Sequence, residues 1–321
     1  MLRALLPALT LCAFASPAQA ETPYVFQPGH IDLDRGPDGN TVILYAPEGL
    51  IVVDTGRHAE HSRAILDYAK ASGRPIAAIV NSHWHLDHTT GNQDVLAAFP
   101  EAELIASNAA AGALSGFLAQ APDNARKRIA DPALSLDEHR RAERALAILT
   151  HPEMLVPANP VTASGPRIIA GRTIDVRLAP DAATEGDIWL LVPDERLAIT
   201  GDLVVAQAPF FDTGCEDGWE TALDEIEAAD WDTLIPGHGA PMDRAGFDRW
   251  HAAFTTYVEC AHSDAGAEAC AAGWEHDAAG FYTEAEGASV RELALYYIID
   301  VLRAPPEARM DYCRKGGSPR A

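Results

Sequence analysis

The apolar residues of this chain fall into short runs typical of strands, separated by longer stretches with helical spacing. Two β-rich runs, Thr41 to Tyr45 and Leu50 to Asp54, flank a turn with Pro and Gly and predict a hairpin. Residues 62–70 carry apolar side chains on one face and predict a helix. Ile76 to Val80 is a continuous apolar run, typical of a buried strand, that leads directly into Asn81.

The same kind of alternation occurs again in the second half of the chain. Strands are predicted at Ile168 to Ile169, Arg172 to Leu178, Ile188 to Val192, Leu197 to Thr200 and Thr233 to Ile235. Residues 107–150 predict an inserted group of helices, and residues 244–303 predict added C-terminal helices. Two sheets with helices on their outer faces would bury such apolar strands, so the pattern predicts one α/β domain over residues 21–303. The Pro- and Gly-rich residues 304–321 predict a loose tail.

Composition narrows the function without identifying a substrate. The 321 residues include 24 Lys and Arg against 47 Asp and Glu, which gives a formal net charge of −23. Binding of nucleic acid or of an anionic membrane surface needs clustered positive charge, so we expect neither of them as a partner. The expected partner is a small molecule. The oligomeric state cannot be inferred from this composition.

Residues 1–20 resemble a secretory signal peptide. Arg3 supplies the positive start, Ala4 to Ala15 is an apolar stretch too short to cross a bilayer, and Ala18-Gln19-Ala20 is a small-residue cleavage site. No other segment reaches about 18 consecutive apolar residues, so no membrane span is expected. The predicted location is therefore periplasmic or secreted.

Signal cleavage would remove Cys12 and leave four cysteines, an even number that allows two disulfides in three possible connectivities. Cys260 and Cys270 lie ten positions apart between two predicted helices, and this spacing favours a bond between them. Cys215 and Cys313 are then paired by default. Free buried thiols are the alternative for that second pair.

The segment His83-Trp84-His85-Leu86-Asp87-His88, directly after a predicted strand, contains four ligand-type side chains within six residues. Imidazole and carboxylate groups are good ligands for zinc or iron. Alternate residues of an extended segment point the same way, so His83 and His85 can hold one ion. Asp87 and His88, beyond the turn, can face a second ion.

This segment resembles the His-x-His-x-Asp-His signature of the metallo-β-lactamase-fold hydrolase superfamily. Three further segments resemble family motifs in the family's order, namely Val52 to Gly56, Thr200 to Leu203 and Ile235 to Gly239. The resemblance implies a four-layer αβ/βα sandwich with the metals at one edge. It assigns His83 and His85 to the first metal, and Asp202 to a bridging position. The ligands it assigns to the second metal are Asp87, His88 and His238.

One position departs from the family pattern. Ala183 stands where the family usually has a third His for the first metal, and a methyl group cannot bind a metal. Asp181 or Glu185 are possible replacements on ligand type alone. We expect the second site to bind metal more tightly than the first, so that a form with one metal is populated.

The resemblance implies an exported hydrolase in which a metal-activated water attacks an ester, thioester, lactone or amide carbonyl. Asp87 is the candidate catalytic residue, orienting the hydroxide or moving a proton. One or two Zn²⁺ ions are the expected cofactor, and His85 argues against iron because diiron members usually carry Glu there. The alternatives are a β-lactamase-like enzyme, a periplasmic enzyme associated with sulfur metabolism, and a catalytically weakened metal-binding module. Asp202 argues against the first of these, because β-lactamases of this fold usually lack it.

Overall fold

The computed structural model describes residues 23–30 and 35–315, which form two five-stranded sheets. In the first sheet the strands lie in chain order, with β1 to β3 antiparallel and β3 to β5 parallel. Its strands are β1 Tyr24–Gln27, β2 Thr41–Ala46, β3 Gly49–Val53, β4 Ile76–Val80 and β5 Glu103–Ile105.

The second sheet has the order β10-β9-β8-β7-β6, in which only the β9–β10 pair is parallel. Its strands are β6 Gly165–Ile169, β7 Arg172–Pro180, β8 Gly186–Val192, β9 Leu197–Val205 and β10 Thr233–His238. The apolar runs of the second half therefore assemble into a sheet of their own.

Helices cover the outer faces of both sheets. In the first half they are α1 Ala59–Ser72, α2 Leu86–Thr89, α3 Asn92–Ala98, α4 Ala109–Ser115, α5 Ala121–Ile129 and α6 Leu136–Thr150. In the second half they are α7 Glu216–Ala228, α8 Arg244–Ala261, α9 Ala267–Asp277 and α10 Gly287–Tyr296, which continues as a π-helical segment Tyr297–Leu302. None of the helices in the described residues is both long and apolar enough to cross a membrane.

Strand alternation builds the layers. Val42 and Leu44 of β2 point into an apolar core shared with the second sheet, whereas Ile43 points outward against α1 and α3. The outer face of the second sheet packs on the large C-terminal cluster, which contains the indoles of Trp219 and Trp250. The resulting order of helices, sheet, sheet and helices confirms the predicted αβ/βα fold.

The predicted insertion 107–150 contains α4, α5 and α6, which pack on one another beside the first sheet. Their buried side chains, including Ile148 and Leu149, form a separate apolar cluster together with Trp84 of the histidine segment. The inserted helices therefore pack directly against the segment that carries the metal-ligand motif.

The two expected disulfides are both present, Cys260–Cys270 and Cys215–Cys313. The second bond ties residues 304–315 to the domain, and the hydroxyl of Tyr312 donates to the backbone carbonyl of Thr213 at 2.7 Å. Residues 304–315 are therefore not the loose tail that the sequence predicts, because a covalent bond and a partly buried hydrogen bond hold them. The predicted signal peptide, Cys12 and residues 316–321 lie outside the described residues.

Candidate metal centre

The candidate metal ligands come from loops and strand ends where the two sheets meet at one edge. The segment from His83 to His88 follows β4, while Asp202 lies in β9 and His238 ends β10. Gly201, with a φ of +51°, allows the close approach, since a Cβ there would lie 2.4 Å from the Cβ of Ser82. The meeting of the sheets therefore depends on a residue without a side chain beside Asp202.

The structure brings the six predicted ligands into two neighbouring groups. The first group is His83, His85 and Asp202, and in each group the ligand atoms lie within 4.8 Å of one another. The second group is Asp87, His88 and His238. Asp202 lies between the groups, with Oδ2 3.6 Å from His83 Nε2 and Oδ1 3.1 Å from His88 Nε2.

The atoms of the second group are close together and almost inaccessible. His88 Nε2 lies 3.2 Å from His238 Nε2, which in turn is 3.2 Å from Asp87 Oδ2. The three side chains are buried. In the first group, by contrast, His85 is partly exposed, so that group faces the solvent side of the centre.

Asp54, which directly follows β3, organises the histidine segment. Its Oδ1 accepts from the backbone N–H of Ser82 at 2.8 Å, and its Oδ2 accepts from the Ser82 hydroxyl at 2.7 Å. The same Oδ2 lies 2.9 Å from His88 Nδ1. Asp54 itself has a φ of 57°, an uncommon conformation for a residue other than glycine. One carboxylate thus orients residues that contribute to both ligand groups.

These hydrogen bonds determine which nitrogen of each imidazole faces the centre. The Ser82 hydroxyl donates its proton to Asp54, so it must accept from Nδ1–H of His83, 2.9 Å away. Asp54 likewise accepts from Nδ1–H of His88. Nε2 of both histidines is therefore the nitrogen with a free lone pair, which is the arrangement that orients metal-binding histidines.

His85 uses the opposite nitrogen. Its Nε2 lies 3.0 Å from the hydroxyl of Thr213, and that hydroxyl donates to the backbone carbonyl of Ala183 at 2.9 Å. Because the only hydroxyl proton is used there, Thr213 accepts from Nε2–H of His85, which leaves the Nδ1 lone pair available. The carbonyl oxygen of Ala183 therefore supports the first group indirectly, because it fixes the hydroxyl that orients His85.

Neither proposed replacement for the missing histidine joins the first group. The ligand groups found among the described residues include neither Asp181 nor Glu185. The Glu185 carboxylate extends towards α4 instead, with Oε2 2.8 Å from the position of a Cβ on Gly112. Ala183 is itself buried. The first group thus has three protein ligands at most in the described part of the chain.

The electrostatics of the centre favour a bound cation. Burial would lower the pKa of His88, but the carboxylates of Asp202 and Asp54 raise it well above its usual range. Burial likewise opposes ionisation of Asp202, yet the neighbouring histidines lower its pKa. Burial, with His88 next to it, lowers the pKa of His83 well below its usual value. The buried carboxylates of the centre therefore stabilise a positive charge beside them on His88, and a bound cation would supply that charge instead.

The unsatisfied polar atoms at the centre fit a metal ion. His83 Nε2 and both carboxylate oxygens of Asp202 are buried and have no hydrogen-bond partner among the described residues. Buried polar atoms without partners are rare because they cost free energy. Nitrogen and carboxylate oxygen together are ligands of zinc and similar divalent ions. The residues present therefore fit the metal that the fold implies.

Sequence reasoning missed the residues that hold and flank the ligands. Ser82 and Thr213 set the histidine orientation, and Arg57 places Nη2 3.5 Å from Asp87 Oδ1. Arg57 could have been noticed, because it directly follows the Asp54-Thr55-Gly56 segment in the sequence. Thr213 had no such signal, since it lies 128 positions from His85.

Two sheets with a pair of His and Asp groups at their common edge define an αβ/βα domain with a candidate metal centre. The sequence profile of the Metallo-beta-lactamase superfamily matches residues 35–238. The chain belongs to this superfamily.

Individual relatives are distant. A linear primary-alkylsulfatase from Pseudomonas sp. (strain ATCC 19151) is 28% identical over 223 residues, or 62% of this chain and 41% of the relative. An atrochrysone carboxyl ACP thioesterase from Passalora fulva is 35% identical over 65 residues, or 20% of each chain. The chain thus spans about two fifths or less of the length of these relatives.

Solved structures share the fold at low identity. A metallo-beta-lactamase family protein from Thermus thermophilus has a TM-score of 0.54 at 14% identity, covering 87% of this chain and 93% of that one. The inverting sec-alkylsulfatase Pisa1 from Pseudomonas sp. has a TM-score of 0.51 at 17% identity, covering 84% of this chain and 50% of the other. At such identities these neighbours support the fold and not a substrate.

Proposed function

We propose that this protein is a metal-dependent hydrolase that adds water to an ester, thioester, lactone or amide carbonyl. The observation that carries the proposal is the pair of ligand groups on either side of Asp202, whose two oxygens face different histidines. A carboxylate between two such groups would face an ion on either side, and two-metal sites of this kind carry out hydrolysis.

One ion would be held by His83, His85 and Asp202, and the other by Asp87, His88, His238 and Asp202. The imidazole and carboxylate set favours Zn²⁺. When bound, such ions lower the pKa of water towards neutrality and polarise the bond under attack. Thr213, Ser82 and Asp54 keep the three histidines of the motif in the tautomers that binding requires.

Asp87 is the proposed catalytic residue. Burial opposes its ionisation, but hydrogen bonding to His238 and the charges of His88 and Arg57 bring the pKa well below its usual range. Asp87 is therefore a carboxylate at neutral pH, and Oδ2 faces His238 while Oδ1 faces Arg57. In this position it would take a proton from the attacking water and pass the same proton to the leaving group.

Sulfate-ester hydrolysis is a second candidate. It is favoured by the similarity to a linear primary-alkylsulfatase, and by a 37% identical match to an (R)-specific secondary-alkylsulfatase from Pseudomonas sp. over 90 residues, or 27% of this chain and 13% of the relative. The same centre serves both reactions, because a sulfate ester and a carboxylic ester each place a polarisable oxygen next to the bond that breaks.

Export is also part of the proposal. The N-terminal signal-like segment supports it, and so do the two disulfides among the described residues, since disulfides persist in oxidising compartments. Cleavage after Ala20 is tested by N-terminal sequencing of protein recovered from the periplasm or the culture medium. A chain that starts at Met1 in the cytoplasmic fraction would contradict export.

Metal analysis combined with a hydrolase screen tests the proposal. We expect purified protein to contain zinc, and to hydrolyse at least one compound in a panel of esters, thioesters, lactones, lactams and alkyl sulfates. Asp87→Asn should lose most of the turnover, bind the ion of the second group more weakly, and keep the ion held by His83, His85 and Asp202. Turnover that is equal in wild type and Asp87→Asn would contradict the metal mechanism. Metal binding without turnover of any compound would favour the weakened metal-binding module.

A further inference from the structure

A cavity of about 450 Å³ opens beside the metal centre, on the side of the inserted helices. It is lined by Arg57 and Leu86 from the centre's surroundings and by residues of α5 and α6, including Arg128 and Arg141. The size is within the range of small-molecule sites in proteins. Its position makes it a natural place for the part of the substrate that does not react.

The charge of this cavity is opposite to that of the protein. Four arginines line it, Arg35, Arg57, Arg128 and Arg141, and no Asp or Glu is among the described lining residues. The chain as a whole has about twice as many acidic as basic residues. The paired carboxylates approach the arginines from outside the cavity, as Asp137 does for Arg141 at 3.2 Å. These ion pairs hold the guanidinium groups in place, while the groups themselves line the cavity.

Arg57 connects the cavity to the metal centre. Its Nη2 lies 3.5 Å from Asp87 Oδ1, and its side chain is 36% exposed. Its Nε is buried and has no hydrogen-bond partner among the described residues. A guanidinium with an unused N–H is well suited to an oxyanion, because its parallel N–H groups match two oxygens of a carboxylate or sulfonate.

The remaining wall is apolar. Leu86, Leu149 and four alanines of α5 and α6 supply most of it. Methyl and isobutyl groups contact a hydrocarbon chain favourably because water is displaced from both surfaces. The cavity thus offers a cationic end near Asp87 and an apolar side along the inserted helices.

We propose that this arginine-lined cavity binds an amphiphilic anion, with its oxyanion on Arg57 and its hydrocarbon chain along α5 and α6. The substrate class is then an alkyl or acyl compound that carries a carboxylate, sulfate or related oxyanion. The assignment of this ligand as substrate rests on the proposed hydrolytic function, whereas the binding site itself does not.

Binding is tested with non-hydrolysable probes on the zinc-loaded full-length protein by titration calorimetry. Octanoate and octane-1-sulfonate share the chain and differ in the oxyanion, octan-1-ol lacks the charge, and inorganic sulfate lacks the chain. We expect both octyl anions to bind at least about 10-fold more tightly than octan-1-ol or sulfate. Binding of only one octyl anion would identify which oxyanion the cavity accepts, and would support the proposal for that class.

Arg57→Gln should weaken both octyl anions about 10-fold or more while the metal content stays at the wild-type value. The matched control is Arg177→Gln, whose parent arginine is 38% exposed and is paired with Asp175 outside the cavity. Arg128→Gln, at an exposed position, provides a second variant in case Arg57→Gln does not fold, with an expected loss of about 2- to 5-fold.

Equal affinity in wild type, Arg57→Gln and Arg128→Gln would overturn the proposal, as would sulfate binding as tightly as octane-1-sulfonate. These outcomes are distinct from failure of the proposed function. Hydrolysis of a neutral ester with no octyl-anion binding would leave the hydrolase and remove the anion site. Arg57-dependent anion binding with no turnover of any compound would support the anion site and contradict the proposed hydrolase.

Discussion

The two ligand groups of the metal centre differ in how completely the chain supplies them. The second group consists of three buried side chains, and Asp54 orients its central histidine directly. The first group is partly exposed at His85, and the buried Ala183 beside it supplies no ligand side chain. Asp202 is shared, so the difference between the groups comes from the other ligands and from what supports them.

The first group has hydrogen-bonded support from the Ala183 segment even though that segment supplies no ligand side chain. The segment around Ala183 still reaches the first group, because its carbonyl accepts the proton of Thr213 and thereby sets the tautomer of His85. The disulfide at Cys215 and the hydrogen bond from Tyr312 hold the Thr213 loop. A weakened but organised site, rather than an abandoned one, is the expectation that the following predictions test.

The largest effect is expected for Asp202→Ala, because this change removes the carboxylate that faces both groups. Turnover should fall on the order of 10³-fold, since each ion contributes several kcal/mol to the reaction. Metal content should fall together with turnover. The control is Asp175→Ala, a partly buried carboxylate on β7. Activity retained in Asp202→Ala would show that the groups act independently.

The next prediction concerns the relative affinity of the two groups. Prolonged dialysis against a weak chelator should reduce two equivalents of zinc to one, because the first group has fewer protein ligands and is more exposed. The remaining ion should disappear in His88→Ala and persist in His85→Ala. Elemental analysis provides the measurement, and two equivalents that survive dialysis would refute the difference in affinity.

Restoring the missing imidazole should remove the difference between the groups. In Ala183→His we expect the first group to bind zinc about 10- to 100-fold more tightly, provided that the buried position accommodates the ring. Ala183→Ser is the control, since it enlarges the same side chain without adding an imidazole. Unchanged stoichiometry and affinity in a folded Ala183→His protein would count against the alignment of this position.

Thr213→Val tests the hydrogen bond that supports the first group. Removal of the hydroxyl leaves Nε2–H of His85 without its acceptor, and zinc affinity of the first group should fall about 10-fold. The second group should not change. Thr213→Ser keeps the hydroxyl and should restore affinity, whereas an equal loss in Thr213→Ser would indicate a packing effect instead.

The last prediction concerns stability rather than metal binding, at Asp187, which follows the Ala183 segment and accepts hydrogen bonds from Thr184. Burial raises the pKa of Asp187 to about 7. A raised carboxyl pKa means that the folded state holds a proton which the unfolded state releases, so stability falls as the pH rises from about 4 to about 7.

The prediction concerns metal-free protein and the difference between two free energies of unfolding, that of wild type minus that of Asp187→Asn. This difference should decrease by about 1 kcal/mol per pH unit over that interval. Urea titrations at several pH values measure it. A difference between the two proteins that does not change with pH would show that Asp187 is ionised throughout.

Much of the fold could be predicted because its signals are local. The alternating or continuous apolar runs of β2, β3, β4 and β8 and the helical spacing of α1 each arise within a few residues. Four of the six candidate ligands could be found for the same reason, since they lie within six positions, whereas Asp202 and His238 were assigned through the resemblance to the superfamily's motifs.

The parts that escaped prediction depend on distant contacts. Residues 304–315 have the composition of a loose tail, and although the Cys215–Cys313 bond was expected, the hydrogen bond from Tyr312 to Thr213 that also holds them was not. The arginines of the cavity come from three separate stretches of chain, near residues 35, 57 and 128–141. Nothing in their local spacing indicates that they share one cavity.

The sequence by itself determined the kind of metal ligands and the two-sheet architecture, because residue chemistry and apolar periodicity are properties of short segments. Only the tertiary structure decided which nitrogen of each histidine faces the centre, what Ala183 contributes, and where positive charge collects in an acidic chain. These properties depend on atoms within about 3 Å of one another that lie up to 128 residues apart in sequence. A hydrogen bond is specified by that geometry, and the geometry exists only when the sheets have packed.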